Sequence, residues 1–435
     1  MHLRSLLFAG AALLPVAAHA EPPKATVTPI AYEDQALAKA EVPGGKTLDL
    51  TLGIGSGAFA DPGSAGRAIW TISDRGPNVD CGEAEEVLGI STEKACAGDK
   101  KAKMFPAPDF VPSIYRLAIA GGKATIAETI PLKGTDGRLL SGLSNPLKAT
   151  TTEGAYGLDG KALTETPNGF DTESLVHLPD GSFFVSDEYG ASISHVAADG
   201  RVLKRYVPKG LEADYAGADY PVAGSLPALV MKRKLNRGIE SIALAPDGKT
   251  VYFILQSPLV NPDEETYKAS RTVRLYAFDI ASEAVTAEYA YEVDEAAAFG
   301  KDNARKAQKQ SDVKVSEMAA LGPDQLLVLE RISKTTKLYR VDLKDAAKLP
   351  ARFDSAETSP SLEALKPAEL AGKGVAALKK ELVFDSDTAK DMPEKIEGVA
   401  VVDPKTLILV TDNDFGIAGD RTRLVKVEFD RPLAE

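Results

Sequence analysis

Four glutamates, Glu173, Glu240, Glu317 and Glu397, open similar stretches of this sequence, and further acids close them. After Glu173 come an apolar run, the turn Pro179-Asp-Gly181, a second apolar run Phe183-Phe-Val185 and the acidic end Asp187-Glu188. The plan returns from Glu240 through Pro246-Asp-Gly248, from Glu317 through Pro323-Asp324 to Glu330-Arg331, and from Glu397 through Asp403-Pro404 to Asp412-Asn-Asp414. Asp74 ends a matching run, Ile69-Trp-Thr-Ile72, although that unit opens on Gly53-Ile-Gly-Ser-Gly57 with no glutamate. Two acid sets result: Glu173, Glu240, Glu317 and Glu397, and Asp74, Asp187, Glu330 and Asp412. Gathered carboxylates cannot all stay ionised without a counter-charge, and hard oxygen ligands in this number suit Ca²⁺ or a similar divalent cation. With Arg75, Arg237 and Arg331 beside them, the chemistry would be cation-assisted attack on an ester whose anionic oxygens the arginines grip. A structural use competes: such acids also cap backbone N–H groups or pair with those arginines.

Positioning acids so far apart in sequence requires a repeat. Successive opening glutamates stand 67, 77 and 80 residues apart, a supersecondary unit returning in fixed order. Each acid pair brackets two strands joined by a Pro-Asp or Pro-Asp-Gly turn, and two outer strands follow, as at 192–197 and 202–207 or 273–279 and 287–293. Four short antiparallel strands per unit make a blade, so the fold expected is an all-β β-propeller of five visible four-stranded repeats. A sixth could be assembled from the lead-in over 21–47, or that lead-in could complete the last blade. The innermost strands of a propeller converge, which turns single acids into a ring. The Ala/Lys/Glu/Leu-rich segments 296–309 and 361–380 read as short helical insertions.

Other nucleophile signatures are missing: no G-x-S-x-G elbow, P-loop or H-E-x-x-H occurs. Beyond residue 20 only His177 and His195 remain, both on predicted strands, which excludes a His-rich zinc site and leaves any Ser-His-Asp triad to one of these two.

The runs Ser73-Asp-Arg-Gly-Pro-Asn78, Phe170-Asp-Thr-Glu-Ser174, Ser186-Asp-Glu-Tyr-Gly190, Arg237-Gly-Ile-Glu240, Lys395-Ile-Glu-Gly398 and Asp412-Asn-Asp-Phe-Gly416 resemble the phytase-like family, described as having esterase-like activity of phytase. The resemblance covers roughly residues 48–429. It implies a calcium-using hydrolase of a small-molecule phosphate or related ester, with Glu173, Glu240, Asp187 and Arg75 expected at the chemistry. Arg75, Asn78, Arg237, Arg331 and Asn413 would bind substrate, and Asp74, Glu173, Asp187, Glu240, Glu317, Glu330, Glu397 and Asp412 would supply metal ligands. A gluconolactonase-type arrangement of Glu173, Asn236 or Asn413, and Asp412 around one metal is an alternative, as is a non-catalytic binding propeller.

Residues 1–20 carry Arg4, an apolar run and Ala18-His-Ala20, the pattern of a cleaved secretory leader too short to span a bilayer. A periplasmic or secreted chain is expected, its main domain over 48–435. The net charge of −12 becomes −13 once Arg4 leaves, a balance unsuited to nucleic acid. In an oxidising compartment the two cysteines, Cys81 and Cys96, are expected to pair.

Overall fold

The computed structural model describes residues 21–434, so the leader expected over 1–20 lies outside the described residues. Five antiparallel sheets follow one another along the chain. The first holds Gly57–Ala60, Ala68–Ile72, Ser113–Ala120 and Lys123–Pro131. In the second, Thr172–His177, Phe183–Asp187, Ser192–Val196 and Val202–Pro208 are joined by a fifth strand, Val222–Leu226, that runs parallel to its neighbour. Ile239–Leu244, Thr250–Leu255, Thr272–Asp279 and Ala284–Glu292 form the third, and Lys314–Gly322, Gln325–Arg331, Thr336–Asp342 and Lys379–Asp385 the fourth. The fifth is closed from the other end of the chain: Ala25–Ile30 pairs with Leu424–Phe429, next to Thr406–Thr411 and Ile396–Asp403. The segment 21–47, expected as an extended lead-in, thus adds a strand to the fifth sheet, and Ala36–Val42 in it makes a hairpin with Lys46–Thr51.

Local chemistry explains the strand pairs. Runs such as Thr-Val-Tyr-Phe-Ile-Leu over Thr250–Leu255 are β-branched and aromatic, and suit a pleated buried surface. The turns between first and second strands are closed by an aspartate: Asp180 Oδ1 accepts from Ser182 N at 2.9 Å and Asp247 Oδ1 from Lys249 N at 2.9 Å. Gly181 supplies the left-handed φ of 88° that the first of these turns needs. The two Ala/Lys/Glu/Leu-rich insertions are helical in short pieces, including Gly300–Asn303 and Pro367–Leu370.

The first strand of each sheet packs against the first strand of the next, and Ile396–Asp403 packs on Gly57–Ala60, so contact runs from sheet to sheet and returns to the start. These first strands are buried on both faces; Thr172–His177 is buried at five of six positions. Apolar side chains fill the spaces between neighbouring sheets, for example Phe184, Ile193, Ile242, Phe253 and Tyr276. An insertion between the second and third strands of the first sheet carries two short helices, Ala84–Leu88 and Thr92–Cys96, and the Cys81–Cys96 disulfide, which is formed. It packs on the 36–51 hairpin through Leu48, Leu50, Leu88 and Met104.

Candidate functional site

Residues at the heads of four first strands and just after four second strands meet at one place, a cavity of about 270 Å³. From the expected acid sets it takes Asp74, Glu173, Glu240, Glu397 and Asp412. Asp171, Glu188 and Asp414 join them, and Arg75, Lys103, Arg237 and Lys314 supply positive charge, with Asn78, Asn236 and Gln256 between.

Three of these acids form the tightest group. One carboxylate oxygen from each of Asp171, Glu173 and Glu188 lies within 4.8 Å of the others, and all three residues are buried. Strand alternation places Asp171 and Glu173 on one side at the head of Thr172–His177, while Glu188 follows directly on Phe183–Asp187 beside it. Asp171 accepts from Arg75 N at 3.3 Å. Among the described residues the Glu173 and Glu188 carboxylates have no hydrogen-bond or ion-pair partner. Burial is the main force on their protonation, and neighbouring carboxylates add to it. Asp171 is pushed up to about 7 and Glu188 to about 8, while Glu173 is raised well above the usual carboxylate range, with Glu240 the next contributor after burial. Across the cavity Asp412 is pushed up to about 7 by burial and by Asp414, and Asp74 is raised by burial and by Asp412. Buried carboxylates at this spacing, two of them without a partner among the described residues, fit a hard divalent cation, with Asp171, Glu173 and Glu188 as the residues to hold it.

Cations share this lining with the acids. Lys314, half-buried beside Arg331 and Arg237, has its ammonium pushed down to about 7 by desolvation and by those two charges. Arg237 gives one N–H to Ser257 Oγ at 3.1 Å. Glu240 is held by Gln256 Nε2, which donates to its Oε2 at 2.6 Å. Arg75 lines the cavity too, but its guanidinium is committed: Nη1 meets Glu153 Oε1 at 2.7 Å, Nε donates to the Gly142 carbonyl at 3.1 Å and Nη2 to Ser144 Oγ at 3.2 Å.

Several expected site residues stand elsewhere. Glu317 lies beneath the cavity, where its carboxylate accepts from Ser174 Oγ, Ser241 Oγ, Ala58 N and Met318 N. Asp187 pairs with Arg205 Nη2 at 2.8 Å and accepts from Asp171 N at 2.9 Å, bracing the site from behind. Glu330 accepts from Tyr291 Oη at 2.5 Å and Asp294 N at 2.8 Å and pairs with Lys380. Arg331 is paired with Glu397 and donates from Nε to Ser316 Oγ at 2.8 Å. Asn413 caps a turn, accepting from Phe415 N at 3.0 Å and donating to the Leu52 carbonyl at 3.1 Å. Neither histidine lines the cavity: His177 stacks on Trp70 and His195 on Phe184.

One residue of register accounts for the displaced acids. Ladder irregularities fall between Ile239 and Ser241, between Ile396 and Gly398, and between Thr172 and Leu175, so Glu240, Glu397 and Glu173 sit in the interrupted part of their strands. In the fourth sheet the irregularity falls between Val315 and Glu317, which puts Ser316 at that place and Glu317 one residue further in. Ser174 and Ser241, its true counterparts, are the residues that bond to it. The second strands show the same offset. Asp187 opposes Thr172 and Glu330 opposes Val315 in the ladder, whereas of the following residues Glu188 lines the site and Arg331 pairs with Glu397, which lines it.

A mostly β chain whose strand ends gather carboxylates and cations around one cavity is what the fold and site define. The chain belongs to the phytase-like family, described as esterase-like activity of phytase, which it matches over residues 51–415. It is 24% identical over 246 residues to an uncharacterized secreted protein of Arthroderma benhamiae, an alignment covering 51% of this chain and 46% of that one, so the match spans about half the length of the relative. Among solved structures it is similar to the PQQ-bound aldose sugar dehydrogenase of Streptomyces coelicolor, with 11% identity, 94% and 99% of the two chains covered and a TM-score of 0.32. A luciferin-regenerating enzyme shows 9% identity, 93% and 97% coverage and a TM-score of 0.35. Among the described residues no helix is long and apolar enough to cross a membrane.

Proposed function

We propose that this chain is a secreted hydrolase of a phosphate or related ester, built as a five-bladed β-propeller and dependent on Ca²⁺ or a similar cation. The carrying observation is the trio Asp171, Glu173 and Glu188, three buried carboxylates within 4.8 Å at the wall of a cavity that Arg75, Lys103, Arg237 and Lys314 also line. The propeller reading is supported by the five sheets and by contact between first strands that passes from each sheet to the next and back. Family membership supports the reaction class, and the formed disulfide fits an oxidising compartment.

Asp171, Glu173 and Glu188 would hold the cation, which when bound supplies positive charge for anionic oxygens and acidifies a water. The chain's own residues do the rest. Arg237 and Lys314 line the same cavity and would bind the oxygens of an anionic ester. Lys314, its ammonium pushed down by burial and by Arg331 and Arg237, would give its proton to the leaving oxygen. Arg75 positions Asp171 through its backbone N–H and through its guanidinium, 3.6 Å from Asp171 Oδ2. Asp187, locked by Arg205, fixes the Asp171 backbone.

The test is hydrolysis of a phosphate monoester and of a carboxyl ester or lactone, each with Ca²⁺ and with chelator. Calcium-dependent release of phosphate that is lost in Glu173→Gln and Glu188→Gln supports the reading. Turnover of only the carboxyl ester or lactone would favour a lactonase-type site using Glu173, Asn236 and Asp412, which share the cavity. No turnover of either leaves a binding protein.

A further inference from the structure

A second cavity, about 1450 Å³, lies next to the first and shares Asn236 with it. Its lining is apolar along the segment that leads into the site: Leu229, Met231, Leu235, Val260 and Pro262. Around that floor stand six basic and six acidic side chains, so the formal charges cancel. Some are already satisfied, as Lys234 is by Glu264 at 2.6 Å and Arg233 by the Tyr189 carbonyl at 2.7 Å. A compact polyanion with charge on every face needs a net positive surrounding, and this cleft offers as many acids as bases. An apolar floor ringed by balanced charges suits a ligand with an apolar body.

The joint between the two cavities is specific. Asn236 takes a left-handed φ of 53° in the tight turn that bridges Lys234 and Arg237. Its Nδ2 donates to Glu153 Oε2 at 3.1 Å, the same glutamate that holds Arg75. Its Oδ1 is buried with no partner among the described residues. A buried acceptor left unsatisfied calls for a hydrogen-bond donor at this point, such as a water beside the bound ester, and the joint is where the reacting end of that ester would meet its other part.

We infer that the large cleft receives the apolar alkyl or acyl body of the substrate, so that the substrate class is an ester with an anionic head group and a long apolar group. This rests on the hydrolase reading, which assigns the head group to the acidic cavity. Alkyl phosphates have nearly equal leaving groups, so chain length reports the cleft alone.

The experiment compares methyl, butyl and octyl phosphate with Ca²⁺ present. We expect kcat/KM to rise by roughly tenfold or more from methyl to octyl, the scale at which apolar pockets discriminate. Ala228 and Ala149 are solvent-facing lining positions, so Ala228→Trp and Ala149→Trp fill the cleft without entering the core, and each should bring the octyl-to-methyl ratio back towards one. A binding arm needs no turnover: calorimetry should show octylphosphonate binding roughly tenfold tighter than methylphosphonate, with the preference lost in both variants. If nothing is hydrolysed but that preference holds, the hydrolase reading fails and the cleft assignment stands. Equal binding of the two phosphonates, unchanged preference in the Trp variants, or stronger competition by inositol hexakisphosphate than by octylphosphonate overturns it.

Discussion

Ser174 Oγ donates to Glu317 Oε1 at 2.7 Å, linking the second sheet to the fourth at the centre of the molecule. Ser241 Oγ reaches the same oxygen at 2.6 Å from the third sheet, and Ala58 N reaches the other at 3.1 Å from the first. One carboxylate thus joins four sheets. Gly57 permits the approach, since a Cβ there would stand 2.6 Å from the Glu173 carbonyl oxygen and 3.1 Å from Glu317 Oε2.

Removing that hub should be costly. Glu317→Ala strands two buried hydroxyls and two backbone N–H groups, and a loss of about 3 kcal/mol or more is expected in urea unfolding. Because Glu317 does not line the cavity, Glu317→Gln should leave the dependence of the melting temperature on calcium intact. A Glu317→Ala protein as stable as wild type, or a calcium response lost in Glu317→Gln, would place this residue differently.

The acidic trio predicts the opposite pattern. Calcium at a hundred times its dissociation constant should stabilise the fold by about 2.7 kcal/mol, seen as a rise in melting temperature that chelator reverses. Glu173→Gln and Glu188→Gln each remove a ligand charge, and should shrink that rise while making the metal-free protein equally or more stable, because repulsion is relieved. Melting that ignores calcium and chelator in wild type and variants alike would remove the metal from the site.

How much of this was legible beforehand follows from the two-residue period of a strand. The repeat of glutamate, strand, turn, strand and acid was readable because it rests on residue type and order, and it located Glu173, Glu240, Glu397, Asp74 and Asp412 at one cavity. Which member of an adjacent pair faces that cavity depends on where the ladder is interrupted. Asp187-Glu188 and Glu330-Arg331 offered both phases, and Ser316-Glu317 differed from Glu240-Ser241 by one position. That reversal of Ser-Glu against Glu-Ser was the available signal. Lys314 and Lys103 carried none: each belongs to the site through tertiary placement alone.

Metal-free stability should fall as pH rises. Asp171 and Asp412 are held up at about 7 from an ordinary 3.8, and Glu188 at about 8 from 4.5. Between about pH 4 and pH 7 the folded protein keeps protons on these acids that the unfolded chain has released, so stability is fullest below that window and declines across it. Lys314, depressed to about 7 from 10.5, works the other way but only above pH 7, where the unfolded chain binds the extra proton. Chemical denaturation with chelator at pH 4.5, 5.5 and 6.5 measures the slope, and saturating calcium should flatten it. A chelated protein that gains stability across that range would contradict the protonation assigned to the trio.

The disulfide gives the last prediction. Cys81 and Cys96 close a loop of 15 residues in sequence and are buried with Leu88, Ile90 and Met104 in a cluster separate from the five-sheet core. On the chain-entropy account such a loop contributes roughly 3 kcal/mol. Cys81→Ser with Cys96→Ser should therefore loosen residues 79–105 first, since their apolar partners are mainly one another and the 36–51 hairpin. The same insertion supplies Gly82, Lys100 and Lys101 to the large cleft and Lys103 to the inner cavity, so ligand affinity at the cleft should drop before the sheets lose cooperativity. Hydrogen exchange checks this: amides of 79–105 should exchange faster in the double variant while those of Ile239–Leu244 stay protected. Equal acceleration in both regions would mean that the bridge supports the whole fold, and no change in either would mean that the insertion holds its shape without it.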